Sequence, residues 1–592
     1  MGWYDTITPA VIQRNVFENP AWYTSYTPYQ TEVSQGRLEA LLNFQTVISD
    51  LTAMPLANCS LLDEATAAAE AATMMYGLRS RDQQKKGTNV LFVDESIFPQ
   101  NLAVIQTRVI PQGMKIQVGN YKELEFTPEI FACVIQYPNA SGSVEDYREF
   151  VEKAHAANCK VAVDADILSL ALLLPPGEWG ADIVFGSTQR LGIPLFYGGP
   201  SAAYFATRDE YKRNMPGRII GWSKDKYGKL CYRMALQTRE QHIKREKATS
   251  NICTAQALLA TMAGFYAVYH GPEGIRTIAE RIHSIAVFLE ESINRLGYKQ
   301  VNAQYFDTLR FALPDTISAQ QIRTIALSKE VNLRYFKNGD VGMSIDETTD
   351  ITAVNVLLSI FAIAAGRDWE KASDVPMASS ISAEMKRQST YLTHEVFNKY
   401  HTETEMMRYI KRLDRKDISL AHSMISLGSC TMKLNAAAEM LPLSRPEFMN
   451  MHPLVPEDQA EGYRELISNL SEELKIITGF AGVSLQPNSG AAGEYAGLRV
   501  IRAYLESIGQ GHRNKILIPA SAHGTNPASA IQAGFTTVTC ACDAQGNVDM
   551  ADLRAKAEEN KADLAALMIT YPSTHGIFET EIVEICHIIH AC

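Results

Sequence analysis

The feature that most constrains the fold is a strand–turn–helix pattern that occurs in both halves of the chain. Residues 131–142 read FACVIQYPNASG and residues 565–576 read AALMITYPSTHG, so each half has an apolar strand that ends in Tyr-Pro and a polar turn. Upstream, SLLDEATAAAEAA at 60–72 matches QPNSGAAGEYAGL at 486–498. Because these markers recur in the same order with nearly the same spacing, we predict two tandem copies of one α/β domain. Two unrelated α/β domains that share this rhythm are the alternative.

Length and composition favour a large globular protein. A chain of 592 residues is too long for a single core, and its 46% hydrophobic and 20% charged residues are typical of a folded, water-exposed protein. The net charge of −11 argues against a nucleic-acid surface. We see no apolar run long enough to span a membrane and no signal peptide. The ten cysteines are scattered without CxxC or metal-ligand spacing, which indicates a reducing compartment and predicts no metal site.

Alternating strands and helices predict a mostly parallel sheet in each copy. After Tyr137 the first copy continues with a helix and a strand, KVAVDAD, which carries Asp164 and Asp166 near its end, where such sheets bind ligands. We assign 1–366 to the first copy, with a small α+β subdomain near 300–366. Residues 367–420 are predicted to form a linker and a charged surface helix, and residues 421–592 the second copy.

The second copy stops earlier than the first. The counterparts of Asp164 and of the pair Gln189-Arg190 would follow Cys592. A domain divided between a helix and its next core strand is an unusual terminus. We therefore expect the 592 residues to be a piece of a longer protein.

The stretch LQPNSGAAGEYAGLRVIRAYL, at 485–505, is suited to binding a phosphate group. The apolar run VSL at 483–485 reads as a strand end, a turn follows at 487–490, and small residues lead into an amphipathic helix. The free N–H groups and the dipole at a helix N-terminus attract anions. The stretch is neither a Walker loop nor a GxGxxG motif. An ordinary strand–turn–helix with a serine cap is the alternative.

Long motifs across the chain resemble one known family. ENPAWYTSYTPYQTEVSQGRLEALLNFQ, SLGSCTMKLNAAAEM, QPNSGAAGEYAGLRVIRAYL and SAHGTNPASA look like glycine decarboxylases, the P-proteins of the glycine cleavage system. The resemblance implies two tandem domains of the fold-type I pyridoxal-phosphate class in their fused form. It implies decarboxylation of glycine on pyridoxal 5'-phosphate and transfer of the aminomethyl group to the lipoyl arm of the H-protein. Other glycine cleavage system components and a homodimer of full-length chains are the further implied partners.

The resemblance also implies a set of site residues in the second copy. Ser489, Gly490 and Ala491 would hold the cofactor phosphate. His523, in the loop of NKILIPASAHGTNP, would stack on the cofactor ring; a solvent-facing loop histidine is the alternative. The other implied contacts with cofactor or substrate are Thr525, Asn526 and Thr574, the last of which could instead cap a helix.

The family's catalytic lysine follows a histidine beyond the last residue here, so the resemblance implies that these 592 residues alone are inactive. Lys433 in SCTMK precedes the phosphate-binding turn, and we assign it a structural or substrate-channel role. In the first copy, Gln189-Arg190 takes the place of the lysine, and the acidic pair Asp63-Glu64 would repel a phosphate. The first copy is therefore expected to be a degenerate partner domain, whose Tyr26, Thr27 and Gln30 could line the substrate channel.

Three other interpretations of function and location stay open. Another fold-type I enzyme, such as an aminotransferase or a cysteine desulfurase, is one alternative, although such enzymes usually carry a single copy of the domain. A non-catalytic scaffold that binds the lipoyl carrier is another. The start of the chain favours a bacterial cytoplasm, or a mitochondrion if a transit peptide has been lost.

Overall fold

The computed structural model describes residues 2–24, 28, 30–248, 250–251, 255–424, 434 and 436–592. Within these ranges, no helix combines the length and the apolar character needed to cross a membrane. The two copies predicted from the sequence are described in turn.

The first copy alternates helices and strands through most of its length. Its helices are α1 (Ala10–Ile12), α2 (Pro20–Tyr23), α3 (Gln35–Thr52), α4 (Glu64–Gly77), α5 (Arg81–Lys85), α6 (Pro99–Val109), α7 (Arg148–Ala156), α8 (Gln241–Lys244), α9 (Ala257–Arg295), α10 (Ala319–Ser328) and α11 (Ile351–Ala365). Its strands are β1 (Leu56–Ala57), β2 (Val90–Asp94), β3 (Lys115–Gly119), β4 (Ile130–Tyr137), β5 (Lys160–Ala165), β6 (Ile183–Ser187), β7 (Ala203–Thr207), β8 (Ile219–Lys224), β9 (Leu230–Ala235), β10 (Lys299–Gln300), β11 (Thr308–Ala312), β12 (Arg334–Tyr335) and β13 (Val341–Ser344).

The central sheet of the first copy has the strand order β1-β7-β6-β5-β4-β2-β3. Neighbours from β3 to β6 run parallel, whereas β7 is antiparallel to both β6 and β1. Every residue of β2 and β4 is buried, because helices cover both faces of the sheet. The predicted α/β fold with a mostly parallel sheet is confirmed.

A smaller antiparallel sheet follows, with the order β10-β11-β13-β12. Phe361 of α11 packs on Phe311 of this sheet, and α10 packs on α11. The next segment contains α12 (Glu403–Asp414). This helix buries Met406, Tyr409 and Leu413 in the same core as α3, while its charged residues other than Asp414 stay on the outer face. Residues 367–420, predicted to be a linker and surface helix, thus contribute apolar side chains to the first copy's core.

The second copy contains α13 (Ala437–Met440), α14 (Pro446–Met449), α15 (Glu461–Thr478), α16 (Gly490–Ser507), α17 (Thr525–Gln532), α18 (Met550–Glu559) and α19 (Ile582–His590), with strands β14 (Lys515–Pro519), β15 (Thr536–Cys540) and β16 (Leu564–Leu567). Its parallel sheet has the order β15-β14-β16. In the first copy β2 lies between β3 and β4 in the same way, and both central strands shift register at their first residue. The matching topology supports the duplication.

One local prediction is wrong. The run at 483–485, expected to end a strand, forms no strand, and Leu485 is 38% exposed. In the first copy the equivalent strand, β1, is paired with β7. Among the described residues of the second copy no strand pairs with 483–485, so the backbone there lacks the partner that an extended strand requires.

The copies pack against each other through α6 and α16. The Tyr495 hydroxyl donates to the Thr107 carbonyl at 2.7 Å, and the Arg108 guanidinium lies over the Tyr495 ring. Nearer the start of α16, the Asn488 amide donates to the Asp63 carboxylate at 2.6 Å. Asp63 and Asn488 thus bring the equivalent turns of the two copies into contact.

Candidate cofactor site

The second copy presents an open helix N-terminus. Ser489 has an extended backbone, and its hydroxyl accepts the Ala492 N–H at 3.1 Å, which is the geometry of an N-cap. The N–H groups of Gly490 and Ala491 have no partner within the helix, because they belong to its first turn. A side chain added at Gly490 would meet no atom within 4 Å, so the space in front of this turn is free.

His523 lies in the loop that connects β14 to α17, at the carboxyl end of the parallel strand. Its ring is exposed, whereas Ser521 and Ala522 before it and Thr525 and Asn526 after it are buried. The His523 Nδ1 atom is 3.0 Å from the Thr525 hydroxyl. The residues on both sides of His523 are therefore packed in the interior, whereas the histidine ring faces solvent.

Glu494, one turn into α16, joins this helix to the His523 loop. Its carboxylate accepts the Thr525 hydroxyl at 2.9 Å and the Ser529 hydroxyl at 2.7 Å. Both hydroxyl residues belong to α17 and are buried. The helix that begins at the predicted phosphate-binding turn, α16, is thus hydrogen bonded through Glu494 to α17, the helix that follows the predicted stacking histidine.

Two further predicted residues lie at the same edge of the sheet. The Thr574 hydroxyl, exposed beyond β16, donates to the Ser521 carbonyl and so joins its loop to the His523 loop. Thr574 does not cap α19, because the N-cap of that helix is Glu581. Asn526 is 4% exposed, and its side-chain oxygen has no hydrogen-bond partner in the described structure.

A segment of the first copy packs directly on the His523 loop. The Arg245 guanidinium donates to the Ala522 carbonyl at 3.1 Å, and the Asn251 amide donates to the Ser529 hydroxyl at 2.7 Å. A Cβ atom at Gly524 would lie 2.5 Å from the Gln241 carbonyl oxygen, so only glycine allows this approach. Residues of the first copy therefore pack against the loop that carries His523 in the second copy and against the helix that follows it.

The equivalent position in the first copy holds acidic groups. Asp63 caps α4 as Ser489 caps α16, but Glu64 follows where the second copy has Gly490. The Glu64 and Asp164 carboxyl groups are hydrogen bonded to each other, and Asn101 donates to Asp164 at 2.7 Å. Burial, reinforced by the charge of Asp166, raises the pKa of Glu64 to about 7. Burial and the Glu64 charge raise the pKa of Asp164 well above its usual range.

Arg190 completes this first-copy cluster. Its guanidinium is 2.7 Å from the Asp166 carboxylate, pairs with Asp307, and lies 3.8 Å from the centre of the Tyr4 ring. The cavity between these groups has a volume of about 30 Å³, which is room for a water molecule and not for a cofactor. Glu64 and Arg190 thus fill the first copy's counterpart of the open site.

Of the other predicted channel residues, the structure describes Gln30. Gln30 is exposed and precedes a short 3-10 turn, Thr31–Val33; no hydrogen bond within the described chain joins it to the His523 loop. Tyr26, Thr27 and Lys433 lie outside the described residues. Sequence reasoning missed Glu494, although its position four residues after Gly490 places it on the same face of α16.

Known proteins resemble this chain over its whole length. The family model described as glycine cleavage system P-protein matches residues 1–361. The chain is 86% identical over 592 residues to a glycine dehydrogenase (decarboxylating) of Bacteroides fragilis and 56% identical over 590 residues to that of Flavobacterium johnsoniae. All of this chain is aligned in each case, and it spans 62% of each relative's length.

A solved structure shows the same similarity. It is the crystal structure of a glycine decarboxylase (P-protein) of the glycine cleavage system in inhibitor-bound form, 30% identical in sequence, with a TM-score of 0.55. The match covers 61% of this chain and 83% of that one.

Proposed function

Because the chain belongs to the glycine cleavage system P-protein family, we propose that it acts in the pyridoxal-phosphate-dependent decarboxylation of glycine. Its duplicated α/β fold is that of the fold-type I class. In this proposal the aminomethyl group left after decarboxylation passes to the lipoyl arm of the H-protein. The name of the bacterial relatives, glycine dehydrogenase (decarboxylating), supports this reaction.

The chemistry of the second copy's site supports pyridoxal phosphate as its ligand in this proposal. The observation that carries the proposal is the open N-terminus of α16 beside the exposed ring of His523. A helix N-terminus suits a phosphate, and an aromatic ring stacks on a pyridine. The buried Asn526 oxygen without a partner offers an acceptor for a polar ligand group, since such a group is costly to leave unpaired.

When bound, pyridoxal phosphate supplies an electron sink for the electron pair left as CO2 departs. In our proposal Ser489, Gly490 and Ala491 hold the phosphate through backbone N–H groups and the serine cap. His523 lies against the ring, and Thr525 fixes its Nδ1 edge. Thr574 and Asn526 orient polar groups of cofactor or substrate at the same sheet edge.

The first copy, by contrast, serves in this proposal as a partner domain without cofactor. The Glu64 carboxyl group stands where the phosphate would approach, and Arg190 pairs with two carboxylates through its Nη1 atom. Tyr26, Thr27, Gln30 and Lys433 remain proposed substrate-channel residues. Glycine, the H-protein, the other glycine cleavage system components and a homodimer are the proposed partners, and the bacterial relatives favour a cytoplasmic location.

Titration with pyridoxal phosphate, followed by absorbance, tests the site directly. We expect His523→Ala to weaken binding roughly three- to tenfold, which corresponds to the loss of one aromatic contact. The matched control is His512→Ala, since His512 is also exposed but lies before β14, at the opposite end of that strand from His523. Equal affinities for the His523 variant and the unmodified chain would contradict the site.

The reaction itself is tested by glycine-dependent exchange of labelled CO2, with pyridoxal phosphate and lipoylated carrier present. The assay uses the 592-residue chain alone and the chain completed with the remaining sequence of the Bacteroides fragilis relative. We expect exchange by the completed protein. Cofactor binding without exchange would favour another fold-type I reaction, and neither binding nor exchange would favour the carrier-binding scaffold.

A further inference from the structure

We propose that the segment Gly2–Thr8 is a built-in ligand of the first copy: it occupies the place equivalent to the second copy's cofactor site and excludes the cofactor ring from it. The inference rests on the proposed function for the identity of that place. The contacts that hold the segment do not depend on any cofactor.

The first copy keeps the outline of the second copy's site around its cavity of about 30 Å³. Glu64 follows the cap of α4 as Gly490 follows the cap of α16. Phe98 lies four residues after the end of β2, as His523 lies four residues after the end of β14. Glu64, Phe98 and Gln189, which stands in the place of the lysine, all line this cavity. The cavity therefore marks the first copy's equivalent of the cofactor site.

Gly2 and Tyr4 line the same cavity. A Cβ atom at Gly2 would lie 3.0 Å from the Phe98 ring, so the Gly2 backbone lies against the equivalent of the stacking histidine. The Gln189 side chain accepts the Tyr4 N–H at 3.1 Å and donates to the Tyr4 carbonyl at 2.6 Å. The Tyr4 ring centre lies 3.8 Å from the Arg190 guanidinium. The residues in the places of the stacking ring and of the lysine thus contact this segment.

Glu347, from the smaller subdomain, anchors the segment. Its buried carboxylate accepts the Thr6 hydroxyl at 2.6 Å and the Ile7 N–H at 2.9 Å. Hydrogen bonds to an ionised group are roughly twice as strong as neutral ones. From the central-sheet side, the Gly192 carbonyl accepts the Thr8 hydroxyl at 2.9 Å. The segment is therefore bound on both sides of the cavity and is part of the fold.

The groups around Tyr4 suit a substituted pyridine ring once the tyrosine side chain is removed. The Arg190 guanidinium and the Phe98 ring can each lie against an aromatic ring. The Asp164 carboxyl group, which lines the same cavity, offers a polar partner for a ring nitrogen or hydroxyl. A phosphate group would instead meet the Glu64 carboxyl group at the start of α4. The place therefore suits the cofactor ring without its phosphate.

Pyridoxine, which has the cofactor ring but neither its aldehyde nor its phosphate, is the probe. Its binding to the unmodified chain, Tyr4→Gly and Tyr4→Phe is measured by titration calorimetry, together with the thermal unfolding midpoint. Tyr4→Gly should bind one pyridoxine more per chain than the unmodified protein, and its lowered midpoint should rise when pyridoxine is added. Tyr4→Phe keeps the ring in place and should bind no more than the unmodified chain.

Phenol, which reproduces the lost side chain, is the second probe. It should raise the midpoint of Tyr4→Gly and leave that of Tyr4→Phe unchanged. If the glycine variant does not fold, Tyr4→Ala gives the same comparison with a less flexible backbone. Phenol binding without pyridoxine binding would overturn the proposal, because the place would then fit a tyrosine ring and not the cofactor ring. Equal pyridoxine binding by the folded variant and the unmodified chain would overturn it as well.

Pyridoxal phosphate titration of the unmodified chain separates this inference from the proposed function. Extra pyridoxine on Tyr4→Gly, with no pyridoxal phosphate bound by the unmodified chain, would uphold the latent site in the first copy and reject the cofactor site in the second. Pyridoxal phosphate bound by the unmodified chain, without extra pyridoxine on Tyr4→Gly, would uphold the proposed function and reject this inference.

Discussion

Replacing Glu64 with glutamine tests whether the first copy's buried carboxyl cluster holds a proton in place of a cofactor. Glu64 and Asp164 are hydrogen bonded to each other, which requires one of the two groups to be protonated. Burial raises the pKa of Glu64 from 4.5 to about 7. Glutamine has the same shape as the protonated acid and cannot ionise, so Glu64→Gln removes the titration while it preserves the hydrogen bonds.

The sign and the size of the expected change in stability follow from the linkage between proton binding and folding. A carboxyl group whose pKa is higher in the folded than in the unfolded chain contributes stability below the unfolded value, and this contribution is lost as pH rises from about 4.5 through about 7. A shift of this size corresponds to about 3 kcal/mol. Because Glu64 is partly exposed, water screens its charge, and we expect about 1–3 kcal/mol. Glu64→Gln should therefore stabilise the chain near pH 8 and have little effect near pH 5.

The assay is thermal unfolding of both proteins at the two pH values. The variant's midpoint should be higher by a few degrees at the alkaline pH, given roughly 2–4 °C per kcal/mol for a domain of this size. Glu152→Gln, at an exposed position on α7, is the matched control and should leave both midpoints unchanged. Equal midpoints for Glu64→Gln and the unmodified chain near pH 8, or the same difference at both pH values, would refute the buried-proton argument.

Two further substitutions test the packing around the sites. Arg190→Met should destabilise the first copy by about 3–5 kcal/mol, because it leaves the buried Asp307 and the partly buried Asp166 without their cation; a lower unfolding midpoint checks this, and an unchanged midpoint would contradict it. Tyr495→Phe removes the hydrogen bond to the Thr107 carbonyl and should weaken the contact between the copies by about 1 kcal/mol, seen as faster limited proteolysis. Proteolysis at the unmodified rate would show that this bond does not hold the copies together.

The sequence by itself determined the local elements and their order. The alternation of apolar strands and helices was enough to predict the parallel α/β sheets, and the cap at Ser489 follows from a serine before small helix-forming residues. The acidic residues at 63–64 likewise indicated, from the sequence alone, that the first copy differs from the second at the predicted phosphate-binding turn. Such features depend on near neighbours and on the polar pattern, which a sequence displays directly. The strand expected at 483–485 failed because a strand also needs a partner from elsewhere in the chain.

Only the tertiary structure decided which side chains meet. Glu494 on α16 accepts a hydrogen bond from Thr525 on α17. Arg190 pairs with Asp307 of the smaller subdomain, and Gln241 of the first copy packs against Gly524 of the second. These partners are distant in sequence, and no local propensity links them. Their contacts arise when buried apolar faces fix the helices and sheets relative to one another, after which a buried carboxylate or hydroxyl must find the donors or acceptors that this packing leaves within reach.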